Sequence, residues 1–318
     1  MNKTTEPYLL VIGASVIDIF GFSKATYRSH NSTPGRVKLS YGGVCRNIAE
    51  NMARVGVNTK FISILGDDEN GYNMMSQSKE IGYDMSDSLI VEGAGTPTYL
   101  AILDENGEMV SAIADLKIIN ALDQEFLSTK AEIISNAEYV VLDSDNPKTM
   151  EYLLLNYGDN TKFILDPVSA ARAENIRHLV RYFHTIKPNR HEAEVLAGFP
   201  IKSDEDLLKA GEYFLSLGVK NVFISLDEEG IFFTNGKKWG KTKARDVLVK
   251  NVTGAGDAFV AGLGYGYMNN LSLEEIVKLA ITMSTITIAH EETIHPKMDI
   301  NFVNEELNSL DWEQITYK

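Results

Sequence analysis

Five short apolar runs constrain the fold of this chain more than any other feature. Each run is almost continuously hydrophobic, which is typical of strands buried on both faces of a parallel sheet. Glycine, aspartate or proline follows most of them and marks the end of the strand. We therefore predict strands at residues 8–13, 61–66, 139–143, 163–167 and 222–226.

Helical periodicity separates these runs. Apolar residues recur at spacings of three and four, as on the buried face of a helix. Alternating strands and helices predict a layered α/β domain with a mostly parallel sheet. The three clearest helical sets are Val44, Ile48, Met52 and Val55; then Leu207, Leu208, Gly211, Phe214 and Leu215 before Gly218; then Ile276, Leu279, Ala280, Met283 and Ile286.

Two stretches depart from this alternation. Residues 99–103 and 109–113 flank an Asp-Glu-Asn-Gly sequence, which is a strong β-hairpin signal. Residues 15–40 are also strand-like. We predict a small β-lid built from parts of 15–40 and 89–115 above a site on the main sheet. The whole chain, 1–318, is then a single domain, with no linker or internal repeat.

Composition excludes several classes of function. The formal net charge of -14 argues against a nucleic-acid partner, because such proteins neutralise phosphates with basic residues. No apolar run is long enough to span a membrane, so no membrane partner is expected. A single cysteine, Cys45, excludes an internal disulfide and favours a reducing, cytoplasmic location.

The segment 251–259, Asn-Val-Thr-Gly-Ala-Gly-Asp-Ala-Phe, combines an anion site with a base. Gly254, Ala255 and Gly256 can present bare N–H groups at a helix start, where anions bind. Asp257 can take a proton from a hydroxyl group. Phosphoryl transfer to an alcohol needs both elements. The structural alternative is a tight glycine turn before a helix.

Two other glycine motifs do not fit the chain. A dinucleotide fingerprint would need a third glycine where Phe259 stands. The only Gly-Lys-Thr run, 240–242, has Asn235 in place of the first glycine of a Walker A loop. A phosphate-binding turn with an aspartate at its edge therefore remains.

A second cluster lies near the N-terminus. Gly42 and Gly43 let the backbone approach a ligand, and Asn47 offers a donor and an acceptor suited to sugar hydroxyls. The alternative is a strand-to-helix turn with Asn47 bonded internally. Asp18 follows the first predicted strand, at the sheet edge where ligands of α/β folds collect. The alternative for Asp18 is an ordinary loop acid.

A third cluster follows the sequence Lys-Pro-Asn at 187–189. Asn189 and Glu192 are three residues apart and share a helical face. They can contact metal-bound phosphates directly or through water. The structural alternative is an N-cap with a capping-box glutamate, and both interpretations can hold together.

These clusters, in this order, resemble the ribokinase-like (PfkB) carbohydrate kinase family over nearly the whole chain. The segment 251–262 is similar to the family's C-terminal pattern, and Asn189-x-x-Glu192 resembles its magnesium–phosphate motif. The N-terminal pattern is matched by Gly42, Gly43, Asn47, Ala49, Gly56 and Gly66. The resemblance implies a ribokinase-like three-layer sandwich with a mostly parallel central sheet and a small β-lid.

The resemblance also implies roles. Asp257 would be the general base, and the backbone of Gly254, Ala255 and Gly256 the anion hole for the transferring phosphate. The cofactors would be ATP and Mg²⁺, with Glu192 serving the metal through water. K⁺ is a further candidate, although Asn251 stands where many ribokinases have an aspartate. The substrate would contact Asp18, Gly42, Gly43, Arg46 and Asn47. The nucleotide would contact Asn189, Ser225, Asp227 and Gly230.

Within the family, the sequence Gly-Val-Cys-Arg-Asn-Ile-Ala at 43–49 resembles the pseudouridine kinase subfamily, as do 166–170 and 186–190. That likeness implies phosphorylation of the 5′-hydroxyl of pseudouridine. Ribose, another nucleoside or a sugar phosphate are alternative substrates. A sugar phosphate would need a cationic residue near the site, for which Arg46 is a candidate. A non-catalytic ligand-binding protein is the alternative from another class. Two copies can join through the lid, because exposed sheet edges tend to be covered.

Overall fold

The computed structural model describes residues 6–317, so the ends of the predicted domain 1–318 lie outside the described residues. Its strands form three sheets and are numbered along the chain. They are β1 (Leu9–Ile12), β2 (Val16–Ser23), β3 (Gly35–Gly42), β4 (Thr59–Ile62), β5 (Ile64–Gly66), β6 (Leu89–Val91), β7 (Thr98–Leu103), β8 (Met109–Asp115), β9 (Tyr139–Asp143), β10 (Lys162–Asp166), β11 (Thr185–Ile186), β12 (Asn221–Ser225), β13 (Ile231–Thr234), β14 (Trp239–Ala244) and β15 (Trp312–Thr316).

The largest sheet has nine strands in the order β15-β14-β13-β12-β11-β10-β9-β1-β4. From β4 to β12 neighbouring strands are parallel, and Leu9 of β1 lies between Thr59 and Tyr139 in register. The last three strands add on antiparallel. The predicted mostly parallel sheet is therefore confirmed. Carboxyl ends of the parallel strands share one edge, which is where a ligand site of an α/β fold forms.

Helices cover both faces of this sheet. They are α1 (Val44–Arg54), α2 (Glu69–Ile81), α3 (Gln124–Ser128), α4 (Ala131–Ser135), α5 (Pro147–Tyr157), α6 (Ala170–Ile176), α7 (Arg190–Ala197), α8 (Asp204–Leu217), α9 (Ala255–Met268), α10 (Leu273–Ile288) and α11 (Ile300–Ser309). Within residues 6–317, none of them has both the length and the apolar character needed to cross a bilayer.

Side chains of one central strand show the layering. Leu10 of β1 belongs to the buried cluster that contains residues of α5, α7 and α8, whereas its neighbour Leu9 belongs to the cluster that contains residues of α1, α9 and α10. Successive side chains of a strand point to opposite faces, so a fully apolar strand fills two cores at once. The result is three layers, with helices on both sides of the sheet.

The run 61–66 is two strands rather than the single one predicted. β4 ends at Ile62 in the main sheet, and β5 pairs instead with β6. The break falls at Ser63, which is fully buried. Its N–H donates to Ser88 Oγ at 3.0 Å, and its hydroxyl lies 2.8 Å from that of Ser15. The Ser88 hydroxyl thus takes the place of a ladder acceptor for the Ser63 N–H, whereas the Ser63 carbonyl accepts from the Leu89 N–H at 2.9 Å.

A separate four-stranded sheet, in the order β3-β2-β7-β8, forms what we call the lid. It spans parts of 16–42 and 98–115, and the predicted hairpin is its β7–β8 pair. Residues 89–91, at the start of the second predicted stretch, pair with β5 instead. Because β2 begins four residues after β1 ends, the lid adjoins the carboxyl-end edge of the main sheet.

Candidate active site

Charged and polar residues stand where the parallel strands end. Asp166 is the last residue of β10, Lys187 follows β11 directly, and Ser225 is the last residue of β12. The Lys187 Nζ lies 3.1 Å from Asp166 Oδ2, and both side chains are buried. A buried ion pair therefore lies at the centre of this edge.

Asp257 stands in the first turn of α9 and is buried. Its Oδ2 accepts a hydrogen bond from Asn47 Nδ2 of α1 at 2.8 Å, although the two residues are 210 positions apart. Burial raises the pKa of Asp257 to about 7, and the charge of Asp166 adds to the rise. The Asn47 bond and the charge of Lys187 oppose it. Such a carboxylate is suited to accept a proton near neutral pH.

The turn before α9 leaves the helix without a side-chain cap. Gly254 is the N-cap and has a φ of 85°, in the left-handed region that favours glycine. The Ala255 N–H makes only a long bond of 3.4 Å to Val252 O, and Ser284 Oγ ties the Ala255 carbonyl to α10 at 2.7 Å. First-turn N–H groups without a cap are available to an anion.

Two glycines of this turn lie close to other groups, one to a backbone carbonyl and the other to a charged side chain. A Cβ on Gly254 would lie 2.2 Å from Thr293 O. A Cβ on Gly256 would lie 2.7 Å from Lys187 Nζ, so that the ammonium group contacts the helix start. The segment 254–257 therefore meets the Lys187–Asp166 pair and Asn47 in one place.

Asp18 lies in the lid strand β2 rather than in a loop. A Cβ on Gly42 would be only 2.0 Å from Asp18 Oδ2, so the carboxylate packs directly over the Gly42 backbone. Burial raises the pKa of Asp18 to about 6, and the positive charge of Arg46 opposes the rise. The lid and the start of α1 thus form a second wall of the site.

The guanidinium of Arg46 is engaged within the protein. It forms a buried ion pair with Glu50 and donates to Tyr41 O at 2.9 Å and Gln77 Oε1 at 3.2 Å. It also donates to Asn47 Oδ1 at 3.3 Å, which fixes the amide orientation that points Nδ2 at Asp257. Arg46 therefore acts on the site through Asn47.

Asn189 and Glu192 form a complete capping box at the start of α7. The Glu192 N–H donates to Asn189 Oδ1 at 2.9 Å, and the Asn189 N–H donates to Glu192 Oε2 at 2.8 Å. Glu192 is buried, and burial raises its pKa. The N-cap interpretation is thus observed, and it leaves the second carboxylate oxygen of Glu192 for other partners.

Three of the residues predicted to line the nucleotide lie at the end of β12 or in the turn after it. The Ser225 N–H donates to Pro188 O at 3.0 Å, which joins this strand end to Asn189. Asp227 and Gly230 form the short turn that comes next, and the Leu226 N–H donates to Gly230 O at 2.8 Å. Asp227 is exposed to solvent.

Several known proteins resemble this chain in sequence and in fold. The profile described as pfkB family carbohydrate kinase matches residues 6–300. The chain belongs to the pfkB family of carbohydrate kinases. It is 34% identical to the pseudouridine kinase of Escherichia coli (strain K12), over 93% of this chain and 95% of that protein.

Solved structures place this pfkB chain in the ribokinase-like fold. A Clostridium perfringens protein proposed to be a sugar kinase is 66% identical and has a TM-score of 0.95, covering 98% of this chain and 99% of that one. Arabidopsis thaliana ribokinase, complexed with ribose and ATP, has a TM-score of 0.79 at 21% identity, covering 95% and 99%. The predicted family and fold are confirmed. As a pfkB member, the chain is an ATP-dependent carbohydrate or nucleoside kinase.

An ATP-dependent kinase of the pfkB family usually also requires Mg²⁺. Among residues 6–317, no group of three His, Cys, Asp or Glu side chains is placed to hold a metal ion. Mg²⁺ is commonly held by one or two carboxylates together with substrate phosphates and water. The buried Glu192, in the capping box beside the end of β12, supplies such a carboxylate, so the donor set fits Mg²⁺ brought by ATP.

Asp166 and Lys187 lie at the centre of this sheet edge, although no sequence motif assigns either of them a role. The signal was available only for Asp166, which lies at the end of the strand predicted at 163–167. Lys187 follows β11, a strand of two residues that the apolar runs do not predict. Parallel strand ends converge at one edge of a sheet, so charged residues at several of them belong to a common site.

Proposed function

We propose that this protein transfers the γ-phosphoryl group of ATP to the 5′-hydroxyl of pseudouridine. The observation that carries the proposal is the buried Asp257 carboxylate at the uncapped start of α9, oriented by Asn47 at 2.8 Å. A base and an anion site in contact are what transfer to an alcohol requires. The substrate follows from the likeness to the Escherichia coli relative, at 34% identity.

In the proposed step, Asp257 removes the proton of the acceptor hydroxyl. The hydroxyl oxygen forms a bond to the γ-phosphorus as the bond between that phosphorus and the β–γ bridging oxygen breaks. ADP leaves with the electron pair, and the proton remains on Asp257. The N–H groups at 254–256 bind the oxygens of the phosphoryl group, where negative charge must be stabilised.

Asp18 and Asn47 are proposed to hold the ribosyl hydroxyls over the backbone at Gly42 and Gly43. Their oxygens accept, and the Asn47 amide donates, as hydroxyl groups require. Arg46 serves this subsite by orienting Asn47. Its guanidinium is already engaged by Glu50, Tyr41 O and Gln77 Oε1, which favours an acceptor without a phosphate group.

ATP is proposed to lie along Asn189, Ser225, Asp227 and Gly230. Glu192 would hold Mg²⁺ through water, and the metal would supply charge neutralisation on the phosphates. Support comes from the capping box, which leaves one carboxylate oxygen of Glu192 free of the backbone. K⁺ is expected to have little effect, because both polar atoms of Asn251 already bond to the loop, at 3.0 and 3.1 Å.

We also propose that the described residues act as one kinase domain in the cytoplasm. The hydrogen bond between Asn47 and Asp257 joins parts of the chain that are 210 residues apart in a single site. The sequence has one cysteine, Cys45, so no internal disulfide can form, which fits a reducing compartment. Cys45 is a packed side chain that is buried and donates to Ile12 O at 3.3 Å.

The pH dependence of kcat/KM follows from Asp257. A raised pKa of about 7 means that the carboxyl group is protonated, and unable to act as a base, when the pH falls below this value. We expect kcat/KM to fall about tenfold per pH unit below roughly pH 6.5 and to level off above roughly pH 7.5. Initial rates between pH 5 and 9 measure this, and a flat profile down to pH 5 would contradict it.

A substrate panel tests the proposed function. ADP release is measured with pseudouridine, its N-glycosidic isomer uridine, ribose and a sugar phosphate, with Mg²⁺ and K⁺ varied. We expect the highest kcat/KM with pseudouridine, dependence on Mg²⁺ and little response to K⁺. Turnover of ribose or a sugar phosphate, together with no turnover of pseudouridine, would show that those compounds are the substrates. Binding without ADP release would indicate a non-catalytic protein.

The lid is proposed to join two copies of the chain. Leu39, Ile19, Leu100 and Ile113 stand in register across all four strands, and the two on the edge strands are 50% and 67% exposed. Apolar residues on open sheet edges favour pairing with another chain.

We therefore expect Ile113→Glu to shift the protein from dimer to monomer in sedimentation velocity. A charge at the edge of the lid would be buried without a partner in the dimer. Leu155→Glu on α5 is the matched control, since Leu155 is 57% exposed and outside the lid. A wild-type monomer, or a dimer unaffected by Ile113→Glu, would refute the lid interface.

A further inference from the structure

Lys187 is a buried cation to which the proposed mechanism gives no task. Its side chain is 7% exposed and that of its partner Asp166 5%. Burying two charges costs several kcal/mol that their attraction only partly returns, and an apolar pair would commonly be as stable. A buried pair at a site rather than in the core therefore calls for a functional explanation.

The ammonium group of Lys187 lies against the anion-binding turn. The Cβ that Gly256 lacks would be 2.7 Å from Lys187 Nζ and 3.8 Å from Asp166 Oδ2. The absence of a side chain at Gly256 is what lets the ammonium reach the start of α9. An ammonium has three N–H donors, so it can bind a phosphate oxygen while it remains paired with Asp166.

The local charge balance also requires a cation there. Asp166, Glu192 and Asp257 are carboxylates around the place where a triphosphate would arrive, and like charges repel. Burial lowers the pKa of Lys187, but the charges of Asp166 and Glu192 and the bond to Asp166 outweigh burial and raise it. Lys187 therefore stays positively charged beside the helix N-terminus.

We propose that Lys187 is a further catalytic residue, whose ammonium group binds the phosphoryl group in transfer beside the N–H groups of 254–256. Asp166 is the positioning residue that holds the ammonium against Gly256. This inference rests on the proposed phosphoryl transfer. Lys187 keeps its proton throughout, because the acceptor proton goes to Asp257 and the electron pair leaves with ADP.

The test compares three variants of the full chain. Lys187→Met removes the cation but leaves Asp166 buried and unpaired, which can prevent folding. The double variant Asp166→Asn/Lys187→Met removes both charges and avoids that cost. Lys187→Arg restores a cation. Lys60→Met is the control, since Lys60 pairs with Asp84 at 2.7 Å outside the site. Melting temperature, kcat, and KM for ATP and acceptor are measured for each.

We expect the folded double variant to lose on the order of 10²-fold to 10³-fold in kcat, with KM for the acceptor within about threefold. Lys187→Arg should retain more activity than Lys187→Met, and Lys60→Met should match the wild type. The acidic limb of the pH profile should stay in place in the double variant, because Asp166 and Lys187 affect Asp257 in opposite directions. A folded double variant with kcat within about threefold of wild type would overturn the proposal.

A binding measurement separates this inference from the proposed function. Calorimetry gives the affinity of each protein for a non-hydrolysable ATP analogue and for ADP, both with Mg²⁺. In the double variant, the ratio of the affinity for the ATP analogue to the affinity for ADP should fall about tenfold, because the γ-phosphoryl group loses its cation. Absence of turnover by the wild type with every acceptor would refute the proposed function. An unchanged affinity ratio in the double variant would refute the role of Lys187.

Discussion

Replacing Asp257 with asparagine is expected to lower kcat by about 10³-fold or more while nucleotide binding persists. The amide has the shape of the carboxyl group but cannot take the proton of the acceptor hydroxyl. Asp257 is buried and accepts from Asn47 Nδ2 at 2.8 Å, so no other carboxylate can replace it at the same position. Steady-state kinetics give kcat, and calorimetry gives the affinity for ADP.

Nucleotide affinity should stay the same or increase in Asp257→Asn, because a negative charge is removed beside the bound phosphates. The acidic limb of the pH profile should also disappear with the group that produces it. Asp84→Asn is the matched control, since Asp84 pairs with Lys60 away from the site and should leave kcat unchanged. A near-normal kcat in Asp257→Asn would show that Asp257 is not the general base.

Gly254→Ala is expected to lower both the stability and the activity of the protein. Its φ of 85° disfavours any side chain, at a cost of about 1–2 kcal/mol. The new Cβ would also lie 2.2 Å from Thr293 O, so the turn before α9 must move. Because the N–H groups of that turn are the proposed anion hole, we expect kcat to fall on the order of 10²-fold or more.

Gly56→Ala separates the cost of backbone strain from the cost of the steric clash. Gly56 has nearly the same φ, 86°, but a Cβ there would meet nothing within 4 Å. It should lose only about 1–2 kcal/mol in the free energy of unfolding and keep its kcat. Denaturant unfolding and steady-state kinetics measure both quantities. Equal kcat losses in the two variants would show that strain alone, and not the position of the N–H groups, explains the effect.

Local sequence signals predict the framework of the fold. Continuous apolar runs identify β9, β10 and β12, because strands buried on both faces need apolar residues at every position. The Asn189-x-x-Glu192 spacing predicts the capping box that the structure contains. Ser63 is the exception, since its buried bonds to Ser15 and Ser88 depend on segments distant in sequence.

The candidate site is predictable in its motifs but not in its contacts. Both partners of the Asn47–Asp257 bond were identified from sequence, yet the bond itself joins positions 210 residues apart. The Lys187–Asp166 pair depends on β10 and β11 being neighbours in the sheet. Arg46, which the sequence predicts as a substrate contact, pairs in the structure with Glu50, one helical turn away.

Phosphorus NMR of the reaction product tests the central claim most directly. The protein is incubated with ATP, Mg²⁺ and pseudouridine, and the new phosphomonoester is observed with proton coupling. Transfer to the 5′-hydroxyl predicts a triplet, because two protons on C5′ couple to the phosphorus. A doublet, which indicates phosphorylation at the 2′- or 3′-hydroxyl, or the absence of any new phosphomonoester while ribose is phosphorylated, would contradict the account.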